Sequence, residues 1–507
     1  MNDRATSRRR KIEQCKRRNS EARQELRAQQ EAEGLQVGGH PSIPNRTSEF
    51  QSVQEEQKAR QQAAIDQIEP MRRHLPVLLR QLSKITDYRN PKKLKHKLTM
   101  LLVYGILCFV FQMASRREAN RKMTRPMFLE NLRLFFPELE SLPHHDTLNR
   151  ILSVIDVNQI EEAHIDLVRR LIRKKKFVRY LIQSCYPIAV DGTQKLVRGE
   201  LHSEQWLERQ VHKGEGIETQ YYVYVLEANL AFHNGMVIPL MSEFLDYTQG
   251  DTSADKQDCE LRAFKRLAGR LKKAFPRLPV MLLLDGLYPN GPVMALCREY
   301  NWQFMIVLQD SSLPSVWEEF NGLQKLERDN HHEMTWGNRR QRFRWVNEIR
   351  YEYGKNSRRW LTLHVVVCEE SWEEVDAKSG EIVTKTSCHA WLSSKPLSKM
   401  NLHERCNLGA RHRWGIESGF LVEKKHGYQY EHCFSENWNA MKGYHFLMRL
   451  GHAFNVLGRY TDALYVIVQK VGVRPFIEFV RETMAGPWLQ TEEVRQRFAG
   501  TWQLRLQ

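Results

Sequence analysis

Two apolar runs of this sequence stop on the same dipeptide, Asp-Gly. The segments "AVDG" (189–192) and "MLLLDG" (281–286) each predict a buried β-strand that ends in a carboxylate, Asp191 in the first and Asp285 in the second. Burying an unpaired polar or charged group costs several kcal/mol. The sequence therefore predicts that both aspartates have a partner at the strand ends.

A third carboxylate lies in "RHRWGIESGFLVEKKHG" (411–427), which has the pattern of an amphipathic helix. The apolar residues predicted to pack inward are Trp414, Ile416, Phe420 and Leu421. Arg413, Glu417 and Lys424 follow at steps of four and seven and share an adjoining face. This spacing is also typical of an intrahelical ladder of ion pairs, and that alternative stays open when the helix is considered alone.

Two strand aspartates and one helix glutamate together suit a pair of divalent cations. Mg²⁺ prefers oxygen ligands, and two ions about 4 Å apart can hold both the attacking and the leaving oxygen of a phosphodiester. Carboxylates this close also need the metal charge, since one of them would otherwise take up a proton. The chemistry predicted from these residues is metal-dependent attack on a phosphodiester.

The composition also points to a polyanionic partner. The 507 residues carry a formal charge of +17, with a pI near 9.4, which favours nucleic acid first and an acidic membrane surface second. Nine cysteines without a C-x-x-C pair argue against structural zinc and for a reducing cytosol. The apolar segment 98–114 is at the short limit for a membrane span; a core helix is favoured, with a membrane-associated basic protein as the alternative.

The periodicity of the chain predicts an α/β (α+β) protein, in which a mixed sheet is flanked by helices and interrupted by a β-rich insertion. A helix start is predicted with Asp146 or Thr147 as the N-cap. The tail before the helical domain either contacts phosphates or is a solvated helix without a partner. The predicted segments are a basic, partly disordered tail (1–67), a helical N-terminal DNA-binding domain (68–180), the first part of the core with three consecutive strands (181–309), the insertion (310–390), the closing helices (391–475) and a C-terminal tail (476–507).

The insertion adds a possible nucleic-acid surface. Residues 337–360 alternate arginines with aromatic residues on predicted strands, and Arg342, Arg344 and Trp345 are the candidates for DNA contact. Cations next to aromatic rings suit a distorted or single-stranded end on which a displaced base stacks, at Trp345 or Trp336. Ordinary strand packing is the alternative.

The ordered set resembles the DDE transposases of bacterial insertion sequences, which have a ribonuclease-H-like core. Arg413, Glu417 and Lys424 match the signature Y-x2-R-x3-E-x6-K at every spacing, although Ala410 stands at the tyrosine position. Asp191 and Asp285 match the first two acids of that family. The members that carry this signature insert a β-domain between the second aspartate and the glutamate. The segment from "LSKITDYRN" to "HHDTLNRIL" is similar to the amino-terminal domain of related transposases, so the resemblance covers roughly 70–460.

The resemblance implies an enzyme in which Asp191, Asp285 and Glu417 bind two Mg²⁺ ions, with Mn²⁺ as a substitute. It implies hydrolysis at the element ends, followed by transesterification into target DNA, with Arg413 and Lys424 on phosphates near the cut. The expected partners are the terminal inverted repeats, the target DNA and a second copy of the chain in the DNA complex. The expected location is the cytoplasm, at the nucleoid, without a membrane. The alternative is a transposase-derived DNA-binding protein that has lost catalysis.

Overall fold

The computed structural model describes residues 3–37, 48–214, 216–250 and 257–507. Within these ranges the chain has fifteen α-helices and ten β-strands, which confirms a mixed α/β protein. The chain divides into two compact units. We call Met1–His40 with Val280–Arg411 the sheet unit, and Pro41–Pro279 with His412–Gln507 the helical unit.

Four helices of the helical unit pack on one long buried helix, α12. The helices of the helical unit are α2(Val53–Leu82), α3(Leu98–Val110), α4(Arg116–Met123), α5(Pro126–Phe135), α6(His145–Leu152), α7(Asn158–Arg173), α8(Glu260–Ala274), α11(Trp414–Lys425), α12(Trp438–Arg459), α13(Tyr465–Val471), α14(Val473–Ala485) and α15(Thr491–Ala499). Helix α12 packs on α2, α3, α6, α7 and strand β4(Val237–Phe244). The apolar helix α3 spans 13 residues and most of its side chains are buried, so it forms core. No helix in the described ranges combines the length and the apolar character needed to cross a bilayer.

Four antiparallel strands of the helical unit present the first candidate acid. They are β1(Tyr186–Arg198), β2(Leu207–Lys213), β3(Gly216–Ala231) and β4. Strand β3 pairs with the other three strands, and its residue Glu227 lies directly opposite Asp191 of β1. The sequence predicted three strands here; β2 was missed because its polar pattern, "LERQVHK", has little apolar alternation.

The sheet unit is built on a sheet with the strand order β5-β6-β10-β9-β8-β7. Its elements are α1(Asp3–Ala32), β5(Val280–Leu284), α9(Gly291–Glu299), β6(Gln303–Val307), α10(Pro314–Leu323), β7(His331–Trp336), β8(Arg339–Tyr353), β9(Arg359–Val375) and β10(Ile382–Ser393). Strands β5 and β6 are parallel, and the remaining neighbours are antiparallel. Because β10 pairs directly with β6, the β-rich insertion extends the sheet that β5 begins.

Both segments predicted as tails contain helices in the described residues. The predicted basic tail contains the long helix α1, and its end at 67/68 falls inside α2, whose buried residues begin at Gln61. The predicted C-terminal tail contains most of α14 and all of α15, which bury Phe476, Ile477 and Val494. Few apolar residues suffice in these segments because each helix packs on elements that other parts of the chain supply.

The predicted N-cap of α6, Asp146 or Thr147, is wrong by two or three residues. The N-cap is His144, whose Nδ1 accepts a hydrogen bond from the backbone N–H of Asp146 at 3.3 Å. Asp146 and Thr147 are therefore already helical. An imidazole nitrogen can cap a helix only in the tautomer that leaves Nδ1 unprotonated, which sequence rules based on Ser, Thr, Asp and Asn do not consider.

Candidate active site

Asp191 lies in the middle of β1, so the prediction that it ends its strand is wrong. The strand continues because Gly192 and the residues after it keep pairing with β3 as far as Arg198. One oxygen of Asp191 accepts a hydrogen bond from the Gly192 N–H at 2.8 Å. A Cβ atom at position 192 would press on the Tyr224 ring and lie 2.7 Å from a carboxylate oxygen of Glu260. Glycine at 192 therefore reflects the close approach of these side chains.

Arg413 brings Asp191 and Glu417 together within the helical unit. Its guanidinium lies 2.8 Å from Glu417 Oε1 and 3.7 Å from Asp191 Oδ2. The Arg413 side chain is only 7% exposed, and its Nε has no hydrogen-bond acceptor in the described chain. One strand carboxylate and one helix carboxylate thus share a single buried cation, which offsets their mutual repulsion.

Helix α11 faces the sheet with a different set of residues from the predicted one. Ile416 and Phe420 are buried as expected, but Trp414 is 60% exposed and Leu421 is 54% exposed. The close approach is made instead at Gly415 and Gly419, where added Cβ atoms would lie 3.1 and 3.5 Å from the Val237 side chain on β4. Small residues four apart let the helix lie close to the strand, and this places Glu417 beside β1.

Lys424 is not part of an ion-pair ladder with Arg413 and Glu417. Its ammonium lies 3.0 Å from Glu431 Oε1 and 5.8 Å from the centre of the Tyr430 ring. The side chain is 20% exposed, so most of it is withdrawn from solvent. Of the alternative intrahelical ladder, the Arg413–Glu417 ion pair is formed, whereas Lys424 pairs with Glu431 instead.

A buried network of charges joins α11 to β3 behind this site. Arg449 of α12 lies 3.1 Å from Glu423 of α11 and 3.2 Å from Glu227 of β3. His452 also contacts Glu423, at 2.7 Å. Burial would raise the pKa of Glu227, but the charge of Arg449 and the hydrogen bonds with His445 and Ser242 outweigh it and hold that pKa at about 2. Both carboxylates are therefore ionised, and Arg449 links the helix that carries Glu417 to the residue opposite Asp191.

Lys195 is a second buried cation in this network, four residues after Asp191 on β1. Its Nζ donates a hydrogen bond to the backbone carbonyl of Tyr430 at 2.9 Å and lies 4.4 Å from the centre of that residue's ring. Burial lowers the pKa of Lys195 to about 8. The sequence analysis missed both Arg449 and Lys195. A charged residue inside an apolar run, such as "FLMRLGHAF" (446–454), was the feature that could have identified Arg449.

Asp285 belongs to the sheet unit, where it directly follows β5 as predicted. Its Oδ1 accepts a hydrogen bond from the Leu287 N–H at 2.9 Å, which closes the turn after the strand. Beside it, a Cβ atom on Gly286 would lie 2.5 to 2.8 Å from side-chain atoms of Gln309. The Asp-Gly pair is thus used here to make a tight turn with the carboxylate at the strand end.

The candidate DNA contacts of the insertion differ in accessibility. Arg342 and Arg344 are open to solvent and pair with Glu333 at 2.9 Å and Glu369 at 2.6 Å. Trp345 is buried, with 4% exposure, so the ordinary-packing alternative holds for its ring as the structure stands. Trp336 is half-buried, with its ring 5.0 Å from the Arg411 guanidinium.

Asp191 and Glu417 are carboxylates that reach solvent, and carboxylate oxygens are the ligands that a hard divalent cation takes. Because Arg413 pairs with both, a metal would have to displace this guanidinium. A different cluster lies at the start of α6. The ligand atoms of His144, His145 and Asp146 lie within 4.8 Å of one another. There, however, the Arg116 guanidinium is 3.6 Å from Asp146, a competing cation that weakens the case for a metal.

Residues 79–168 match the family model described as DDE_Tnp_1-associated. This region is similar to a transposase-associated domain. It begins near the end of α2 and extends into α7. The match supports the predicted likeness of the N-terminal helical region to transposases and points to a transposase-related family. No curated protein matches the chain.

Proposed function

We propose that this protein is a DDE transposase of an insertion sequence. It would hydrolyse phosphodiesters at the element ends and then join the freed 3′ ends to target DNA. The observation that carries the proposal is the meeting of Asp191 and Glu417 at Arg413, in a chain that also has a region similar to a transposase-associated domain. Asp285 is proposed as the third acid on the grounds of sequence, because it ends β5 on Asp-Gly.

In this proposal the three carboxylates hold two Mg²⁺ ions, for which Mn²⁺ can substitute. When bound, such a pair supplies an activated water and stabilises the leaving 3′ oxygen. Arg413 keeps the two carboxylates of the helical unit together before the metals arrive. Its fork of donors can then turn to a phosphate oxygen. Lys424 supplies a point charge for a phosphate farther along α11, and Arg342 and Arg344 contact the DNA end.

The test is divalent-dependent nicking by the full-length protein. The substrate is a supercoiled plasmid that carries the DNA flanking the gene on both sides, incubated with Mg²⁺, with Mn²⁺ or with EDTA. We expect nicks at defined positions with either metal and none with EDTA. Asp191→Asn should abolish them, whereas Glu478→Gln, the same charge change on an exposed residue of α14, should not.

Binding to the same DNA separates the proposal from its alternative. If the wild-type protein binds but nicks under no metal condition, the transposase proposal is wrong. The repurposed DNA-binding protein would then be the function, with Arg413 acting as a permanent countercharge for Asp191 and Glu417.

A further inference from the structure

Helix α1 is docked on the sheet unit through a narrow stripe of side chains. Between residues 7 and 32, the positions withdrawn from solvent recur at steps of three and four, as on one face of a helix. These positions are Cys15, Asn19, Ala22, Leu26 and Gln30. The remaining positions of this stretch are exposed, so the stripe is the contact face.

Polar contacts fix the docked face to β9 and to the turn after it. Asn19 Nδ2 donates to the Ala377 carbonyl at 2.8 Å, and Gln30 Nε2 donates to the Glu373 carbonyl at 3.2 Å. Gly380 in the same turn has a φ of +73°, and a Cβ there would lie 2.6 Å from the Asn19 side chain. The turn thus fits the helix closely, and α1 is a positioned element.

Charge is divided unequally along α1. Residues 7–18 contain seven arginine or lysine residues and one glutamate, and all seven basic side chains are exposed. Residues 19–33 contain two arginines and four glutamates. In the described part of the chain, Arg8, Arg9, Arg10 and Lys11 form no ion pair. The docked half is therefore acidic, and the half that extends beyond the main contacts is strongly basic.

The four consecutive cations Arg8–Lys11 surround the helix, because successive residues are rotated by about 100°. A helix with side chains is roughly 10–12 Å across, and the major groove of duplex DNA is about 12 Å wide with a phosphate backbone on each side. A helix that is basic on all sides suits such a groove better than a flat anionic surface, which would meet one face only.

We propose that the basic half of α1, residues 7–18, lies in the major groove of duplex DNA and binds both phosphate backbones independently of sequence. The docked half holds this arm in place, which reduces the entropy lost on binding. The inference rests on the proposed function, in which duplex DNA is the substrate, and names a surface outside the candidate active site.

The first experiment removes the four charges of the arm by Arg8→Gln, Arg9→Gln, Arg10→Gln and Lys11→Gln. The matched control removes four exposed charges outside α1 and outside residues 68–180, by Lys265→Gln, Arg277→Gln, Lys399→Gln and Arg474→Gln. Fluorescence anisotropy measures the binding of both full-length variants to a duplex of random sequence and to one of its single strands, over a range of salt concentrations.

For the arm variant on the duplex, we expect the slope of log affinity against log salt to become shallower by about 3. The control and the single strand should show a much smaller change. An unchanged slope, an equal change in the control or an equal change on the single strand would overturn the proposal. The proposal would also be overturned if the arm variant lost binding to vesicles of anionic lipid but bound duplex DNA as the wild type does.

A second variant tests the docking itself and keeps all seven basic residues. Asn19→Ala with Leu26→Ala should lower duplex affinity several-fold while retaining the salt slope, and an unchanged affinity would refute a positioned arm. Thermal midpoints check that each variant is folded. Nicking is scored separately: normal nicking without the slope effect rejects the arm alone, and the slope effect without nicking rejects the catalytic proposal alone.

Discussion

At the scale of single residues, the proposed site depends on two carboxylates that share one arginine. Asp191→Asn and Glu417→Gln each remove a proposed metal ligand but no basic residue. We expect each variant to lose metal-dependent nicking and to keep its DNA affinity within a few-fold, because affinity comes mainly from lysine and arginine on phosphates. Nicking assays beside anisotropy titrations check this. Near-normal nicking by either variant would remove that residue from the site.

Lys424 and Glu431 form a pair that separates a role in DNA binding from a role in folding. Lys424→Ala removes the charge, whereas Glu431→Gln breaks the same 3.0 Å ion pair and leaves the lysine. If Lys424 positions a phosphate, Lys424→Ala should slow nicking, extra Mg²⁺ should not restore it, and Glu431→Gln should nick normally. A partly exposed pair contributes about 1 kcal/mol or less, so urea midpoints should move little. Equal slowing by both variants would show that the pair matters only for structure.

Residue patterns identified the candidate acids better than they identified the groups that hold them. Asp191 and Asp285 could be selected because each follows an apolar run, and Glu417 because of its spacing from Arg413 and Lys424. Arg449 could not be assigned, because its partners, Glu227 and Glu423, come from a strand and a helix far away in sequence. Which buried charges meet is set by tertiary packing.

At the scale of elements, the clamp made by Arg449 decides where α11 lies against β3. Arg449→Met would leave Glu227 and Glu423 buried without their main countercharge, and breaking a buried pair in this way costs about 3–5 kcal/mol. We expect a large fall in the urea midpoint and a smaller fall for Arg449→Lys. Arg495→Met, which breaks an exposed pair with Glu492, is the control. A loss for Arg449→Met no greater than that of the control would show that the clamp is not needed.

The elements themselves were predictable where their apolar pattern was strong. The core helix α3 and the strand β5 follow from their apolar runs alone. The polar composition of α1 predicts a partly disordered tail, whereas its docking depends on a few residues such as Leu26 and on hydrogen bonds to β9. Such contacts leave almost no trace in local composition.

At the scale of the whole molecule, each unit is assembled from two separate stretches of the chain. The sequence predicted an insertion over 310–390, but β5, α9 and β6 group with it in the sheet unit. The reason is the pairing of β10 with β6, in which Trp391 lies opposite Val307. Register between strands so distant in sequence cannot be read from one chain.

The buried titratable groups make the stability of the whole protein depend on pH. Burial lowers the pKa of His164 to about 3 and that of His445 to about 4 in the helical unit. It lowers the pKa of His364 to about 4 in the sheet unit. A histidine whose pKa is lower in the folded state contributes stability when the pH is above its pKa in the unfolded chain, about 6.5. It loses that contribution as the pH falls through its pKa in the folded state. Burial raises the pKa of Glu161 to about 7. This shift has the opposite effect on the pH dependence of stability, but it is smaller than the three histidine shifts together.

We therefore expect the free energy of unfolding to fall as pH is lowered from about 6.5 to about 4. Urea titrations across this range measure it. His445→Gln removes one titrating group that contacts Glu227 at 3.1 Å, so its stability should depend less steeply on pH, whatever its value at neutral pH. His202→Gln is the control, because that imidazole is partly exposed and lies 4.0 Å from its carboxylate. Stability that stays level or rises toward pH 4, or an identical slope for His445→Gln and wild type, would contradict the assignment of buried neutral histidines.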